Sequence, residues 1–139
     1  MALIEVKNLS KIYRDNDIET IGLDNVNLKI DKGEFVAITG PSGSGKSTLL
    51  QVLGCLDRPT SGNYLIDGKN LEKFSDNELA HTRNNTMGFV FQAFNLLPRL
   101  SVLDNVKLPL IYSGIKEPER TKVAQKMIDL VELTHRTDY

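Results

Sequence analysis

Gly40-Pro41-Ser42-Gly43-Ser44-Gly45-Lys46-Ser47-Thr48 fits the pattern G-x-x-x-x-G-K-[ST] of a phosphate-binding loop. Ahead of it, Phe35-Val36-Ala37-Ile38-Thr39 is a short apolar run that predicts a buried strand. Behind it, Leu49, Val52, Leu53 and Leu56 recur at helical spacing, predicting a helix that stops near Asp57-Arg58-Pro59, where proline forbids continuation. Strand, glycine loop and helix are the context in which the pattern carries its chemistry.

That chemistry dictates the residue types. A triphosphate tail is dense negative charge and must be held without bulky side chains in the way. Glycines at 40, 43 and 45 let the main chain wrap tightly and turn successive N–H groups toward phosphate oxygens. A helix beginning near Lys46 adds its unbonded N–H groups and the positive end of its dipole. In this pattern Lys46 reaches the β- and γ-phosphates, Ser47 ligates Mg²⁺ and Thr48 is placed to bond an inner phosphate, with the backbone of Ser42 and Ser44 completing the cradle. The alternative is a glycine-rich turn that matches by chance, and the flanking elements weigh against it.

The 139 residues suffice for one domain of ordinary size, and 40% apolar with 25% charged residues is globular composition. A formal net charge of −1 leaves no broad basic field, which argues against a nucleic-acid partner. No apolar run approaches the ~20 residues that span a bilayer, and the N-terminus lacks the pattern of a secretory signal. The single cysteine, Cys55, reads as a small buried residue on the helix after the loop. These features point to a soluble protein of a reducing cytosol.

In chain order, residues 3–9 and 26–30 predict strands on either side of a turn at Asp15-Asn16-Asp17. Largely antiparallel sheet is therefore expected before the strand at 35–39. Tyr13 follows the first strand; its ring could stack on an adenine face or simply pack on the sheet, and taken alone the second reading is the commoner. Tyr64-Leu65-Ile66 predicts a strand closed by Asp67-Gly68, and Ser75-Asp76-Asn77-Glu78 is a capping box opening a helix of about ten residues. His81, on that helix, has no second metal-ligating residue nearby and reads as surface. Gly88-Phe89-Val90-Phe91-Gln92 predicts a buried strand ending in a polar residue. The loop from Ala93 to Leu100 offers Phe94, Leu96, Leu97 and Leu100 as exposed apolar candidates. Ser101 is placed to cap the next helix, where Pro109 predicts a kink or early stop, and Glu117-Pro118 opens a last helix with an apolar stripe of Val123, Met127 and Val131, joined by Ala124, Ile128 and Leu130.

With these residues in view, the whole chain resembles the nucleotide-binding subunit of an ATP-binding-cassette transporter. Tyr13 is similar to the family's adenine-stacking aromatic, Gly40 to Thr48 to its Walker A loop, and Gln92 to the glutamine that touches Mg²⁺ and the attacking water and senses the membrane partner. The wording of 53–62 and 90–98 resembles the branch that includes macrolide-export and lipoprotein-release ATPases. The resemblance implies an α/β fold: a P-loop NTPase (RecA-like) core with an N-terminal antiparallel β subdomain and the start of an α-helical subdomain. It implies residues 1–92 as ATP-binding core with that β subdomain, and residues 93–139 as the Gln92 loop and first part of the helical subdomain. It further implies ATP and Mg²⁺ as cofactors, Lys46 and Gln92 as catalytic residues, and Ser47 and Gln92 as metal contacts. The implied partners are transmembrane permease subunits, met through the Ala93–Leu100 loop, and a second cassette. The implied location is cytoplasmic, peripheral on the inner face of the cell membrane.

The chain departs from the family in showing no LSGGQ segment, Walker B aspartate, catalytic glutamate or switch histidine. His135 comes too early to be the last of these. The 139 residues alone are therefore expected to fold poorly, bind ATP weakly and show no turnover. Strands absent from the sequence are expected to belong beside 35–39, leaving apolar surface and unpaired backbone there. Two other readings stay open: a nucleotide- or partner-binding module without chemistry, and a small-molecule kinase using the same loop. The kinase reading lacks an obvious acceptor-binding cluster. The 93–100 loop could equally pack on its own helices.

Overall fold

A computed structural model describes residues 2–139. They divide into two compact units, one running to Arg83 and the other from Asn84 to Tyr139.

The first unit is built on a long hairpin. Strands β1 (Ala2–Asp15) and β2 (Ile18–Asp31) pair antiparallel along their length and turn at Asn16-Asp17, so the strands read as 3–9 and 26–30 extend well beyond those limits. Strand β3 (Ser61–Ile66) pairs with the other edge of β1, and the two-residue β4 (Lys69–Asn70) closes a four-stranded antiparallel sheet in the order β2-β1-β3-β4. The pairing of β1 with β2 slips at several points. At one, Ile12 faces Ile21 while Lys11 faces Leu23, leaving Gly22 as the extra residue of a bulge.

Helix α1 (Lys46–Leu53) lays Leu49, Val52 and Leu53 against the core, where Val6, Leu9, Leu23, Tyr64 and Ile66 of the sheet are also buried. It ends at Leu53, with Gly54 as C-cap, a turn earlier than the stop expected at Asp57-Arg58-Pro59. Gly54 bonds back to Leu50, the next residue, Cys55, is left-handed (φ 54°), and the buried Tyr64 hydroxyl donates to the Leu53 carbonyl, so the last turn is already satisfied. Cys55 is buried as expected, but it lies just past the helix rather than on it. Helix α2 (Asp76–Thr86) opens with the expected capping box: Glu78 N–H donates to Ser75 Oγ, and Ser75 N–H to the Glu78 carboxylate at 2.7 Å. The unit boundary falls in its last turn.

In the second unit, α3 (Val102–Tyr112) packs on α4 (Glu119–Leu130), with a 3₁₀ turn at Thr134–Arg136. Ser101 Oγ caps α3 by accepting from the Asp104 N–H at 3.1 Å. The N–H groups of Val102 and Leu103 donate to the carbonyls of Tyr139 and Thr137, which ties the last residues to the head of that helix. Pro109 does not stop α3. The helix runs on to Tyr112 because proline forfeits only its own N–H, and Pro109 still accepts from Ser113. The buried face of α4 is Ala124 and Ile128; of the expected stripe Met127, Leu130 and Val131 are exposed, and Val131 lies past the helix as its C-cap.

Two predicted strands are absent. Residues 35–39 and 88–92 form no strand, and their apolar side chains are open: Phe35 is 97% exposed, Val90 fully so. A β-prone run becomes a strand only by hydrogen bonding to a neighbour, and no described segment pairs with either. Phe89 and Phe91 instead stack on each other, ring centroids 5.7 Å apart, as residues two apart on an extended chain do.

Truncating the fully buried Leu9 to Ala is expected to destabilise the first unit by about 2–5 kcal/mol, and Ser75→Ala by about 1 kcal/mol. Urea unfolding followed by circular dichroism measures both.

Candidate functional site

The loop at 40–48 begins beyond the hairpin and ends inside α1. Gly45, the N-cap, is left-handed (φ 84°), and a Cβ on it would run into the carbonyl of Gly22. The first intrahelical bond is from the Leu49 N–H to Gly45 O at 2.8 Å, so the N–H groups of Lys46, Ser47 and Thr48 precede the helical ladder and carry its positive end. The Lys46 ammonium folds back over the loop, donating to Gly40 O at 2.9 Å and Pro41 O at 2.6 Å, with Ser44 Oγ at 3.5 Å.

In front of this helix start lies a cleft of about 310 Å³. Ser42, Gly43, Gly45, Lys46, Ser47 and Thr48 form one wall; Tyr13, Thr20, Ile21 and Gly22 form the other. The hairpin thus brings Tyr13 to the phosphate-type loop, about thirty residues away in sequence. Thr20 and Ile21 were not singled out from the sequence; their only signal is their pairing with Tyr13 and Ile12 across the hairpin. Gly22 is closely hemmed in: a Cβ there would sit 2.8 Å from Tyr13 Cε2 and 3.0 Å from Thr48 Cγ2.

Tyr13 is held from behind. Its hydroxyl donates to Asp57 Oδ2 at 3.1 Å, and Lys11 Nζ lies 4.9 Å from its ring centroid. Lys11 also pairs with Asp57 Oδ1 at 2.6 Å and donates to Arg58 O at 2.7 Å. Burial alone would raise the Asp57 carboxyl. The Lys11 ammonium, the Arg58 N–H and the Tyr13 hydroxyl outweigh it and hold the group below the ordinary carboxylate range.

The donor set suits a magnesium–nucleotide complex. Mg²⁺ accepts hard oxygen donors and fills its shell with phosphate oxygens and water, so the Ser47 hydroxyl at the head of α1 is a donor of the right kind, one ligand of that shell. Among the described residues no cluster of three or more His, Cys, Asp or Glu could hold a metal unaided. Gln92 lies in the second unit, exposed, on the irregular stretch before the Ala93–Leu100 loop. In that loop Phe94 is 90% exposed and Leu96, Leu97 and Leu100 are open. One side chain fixes its course: Asn105 accepts from the Leu97 N–H at 2.9 Å and donates to the carbonyls of Leu97, Leu100 and Ser101 at 3.0–3.2 Å.

An α/β chain with this loop at a helix start is a P-loop cassette in form, and known proteins bear that out. The family pattern described as ABC transporter matches residues 23–138. An uncharacterized ABC transporter ATP-binding protein of Thermotoga maritima is 48% identical over 134 residues, 96% of this chain and 57% of that one. The macrolide export ATP-binding/permease protein MacB of Chlorobaculum tepidum is 51% identical over 137 residues, 99% of this chain and 21% of that one. The solved dimeric ATP-binding cassette MJ0796, in a post-hydrolysis state with ADP and Pi, is 44% identical with a TM-score of 0.87 over 98% of this chain and 60% of its own. The chain belongs to the ABC transporter family. It spans less than two thirds of the length of these relatives. Among the described residues no helix is long and apolar enough to cross a membrane.

Asp57 gives a testable acid signature. Its folded-state value is lowered, so its stabilisation is complete above the unfolded carboxylate value of about 3.9 and is lost as pH falls through the folded value. Urea midpoints measured from pH 7 downward should fall more steeply below about pH 4 for the native chain than for Asp57→Asn, which cannot titrate.

Proposed function

We propose that the 40–48 loop and Tyr13 form the nucleotide site of a transport ATPase, holding Mg·ATP with the base on the hairpin and the phosphates on α1. The observation that carries this reading is one cleft lined by Tyr13 on one side and by Ser42, Gly43 and Gly45 to Thr48 on the other. Main-chain amides of the loop and the N–H groups of Lys46, Ser47 and Thr48 surround the phosphates. The Lys46 ammonium neutralises the β- and γ-groups, Thr48 bonds an inner phosphate, and the Ser47 hydroxyl holds Mg²⁺. Bound Mg·ATP supplies a phosphoanhydride whose cleavage drives the transport cycle. Gln92 contributes a metal and water contact and reports on the membrane partner. Residues 1–92 serve as nucleotide core and 93–139 as the beginning of the helical part, with the Ala93–Leu100 loop meeting permease subunits on the inner face of the membrane. A second cassette completes the site, in keeping with the dimeric form of the related MJ0796. A second reading for these 139 residues taken alone is nucleotide binding without turnover, since no carboxylate among the described residues lines the cleft to help hold Mg²⁺ or to orient water.

Lys46→Ala should weaken Mg·ATP binding about 10- to 100-fold, the loss of a charge-assisted contact of about 1.5–3 kcal/mol, and Tyr13→Ala should weaken it about tenfold. Isothermal titration measures both; wild-type affinity in Lys46→Ala would overturn the assignment. In the protein as its gene encodes it, Phe94→Ala with Leu97→Ala should lower transport about tenfold and spare ATP binding. A parallel loss of both activities together with folding would assign the loop to internal packing instead.

A further inference from the structure

The Tyr13 ring has an exposed position on β1, yet it is restrained on three sides. Its hydroxyl donates to Asp57 Oδ2, the Lys11 ammonium lies over its ring, and Gly22 meets its Cε2 edge so closely that no side chain fits between. Lys11 does not line the cleft, whereas Tyr13 does. The Lys11 side chain is largely covered while Tyr13 is 38% exposed, so the ring keeps open surface with the ammonium against it.

Asp57 is the centre of this arrangement. Oδ1 takes Lys11 at 2.6 Å and the Arg58 N–H at 2.7 Å; Oδ2 takes the tyrosine hydroxyl. The turn that carries Asp57 is itself anchored. The Arg58 guanidinium donates to Phe74 O at 2.6 Å and pairs with Asp76 Oδ1 at 2.8 Å, tying the end of the α1 segment to the start of α2. A planar ring that must stack on a planar base gains from having its tilt set in advance, because ordering a loose side chain on binding opposes association.

We infer that Asp57, acting with Lys11, is a positioning residue that sets the Tyr13 ring for stacking on the nucleobase. It touches neither base nor phosphate and acts through the tyrosine. The inference rests on the reading of the cleft as a nucleotide site.

The experiment compares Mg·ATP with Mg·tripolyphosphate, which presents the same phosphates without a base, by isothermal titration of the protein as its gene encodes it. Asp57→Ala and Tyr13→Phe remove the same hydrogen bond from opposite ends. Each is expected to weaken ATP about tenfold and to leave tripolyphosphate within about twofold. The double variant should be no weaker than Asp57→Ala alone, since the two act through one contact. If Asp57→Ala lowers both ligands equally, or fails to fold while Tyr13→Phe binds ATP normally, Asp57 is a structural residue and the inference is overturned. If Tyr13→Ala leaves ATP affinity intact, base stacking itself is wrong. If Tyr13→Ala weakens ATP while Asp57→Ala and Tyr13→Phe do not, base stacking stands and only the positioning role falls.

Discussion

The arrangement depends on two backbones that come nearly into contact. Gly22, the bulged residue of β2, lies against Gly45 at the head of α1, and neither has room for a Cβ. The bulge turns the strand at that point, and the absent side chains let the hairpin close on the helix start. Without that approach Tyr13 and the 40–48 loop would stand on separate elements. With it, a ring and a set of amides share one cleft.

The two walls are built by different physics. The loop wall is main chain: left-handed glycine, helix N–H groups and an ammonium already folded onto Gly40 O and Pro41 O. It distinguishes charge, and any anion must displace the lysine from those carbonyls or share it with them. The hairpin wall is side chain, and its shape is set by bonds that reach more than forty residues along the chain, from Lys11 and Tyr13 to Asp57. Each wall is stiffened by contacts outside the cleft, in Arg58 with Asp76 on one side and in the buried face of α1 on the other.

What the sequence reveals follows the range of the interactions. The loop, the Ser75–Glu78 capping box and the Ser101 cap are decided within a few residues, and all three appear where local chemistry puts them. Helix α1 stops a turn before its proline, because proline marks only where a helix cannot continue, whereas the Gly54 cap and the Tyr64 hydroxyl end it sooner. The runs at 35–39 and 88–92 carry strand composition, but a strand also needs a neighbour, and composition is silent about neighbours. Tyr13 could be named from its resemblance to a family position; Lys11, Gly22 and Asp57, which hold it, could not, since nothing in their own surroundings marks them.

In the loop at 93–100, a single amide, Asn105, fastens the main chain, while the large apolar side chains point outward. Path and outer face are thus under separate control. Exchanging Phe94 or Leu97 for residues of other shape changes the apolar face that the loop presents to solvent without touching the bonds that hold its backbone. Variation on that face and the path of the main chain are thus separable, and Asn105 is the position at which a change would release the segment.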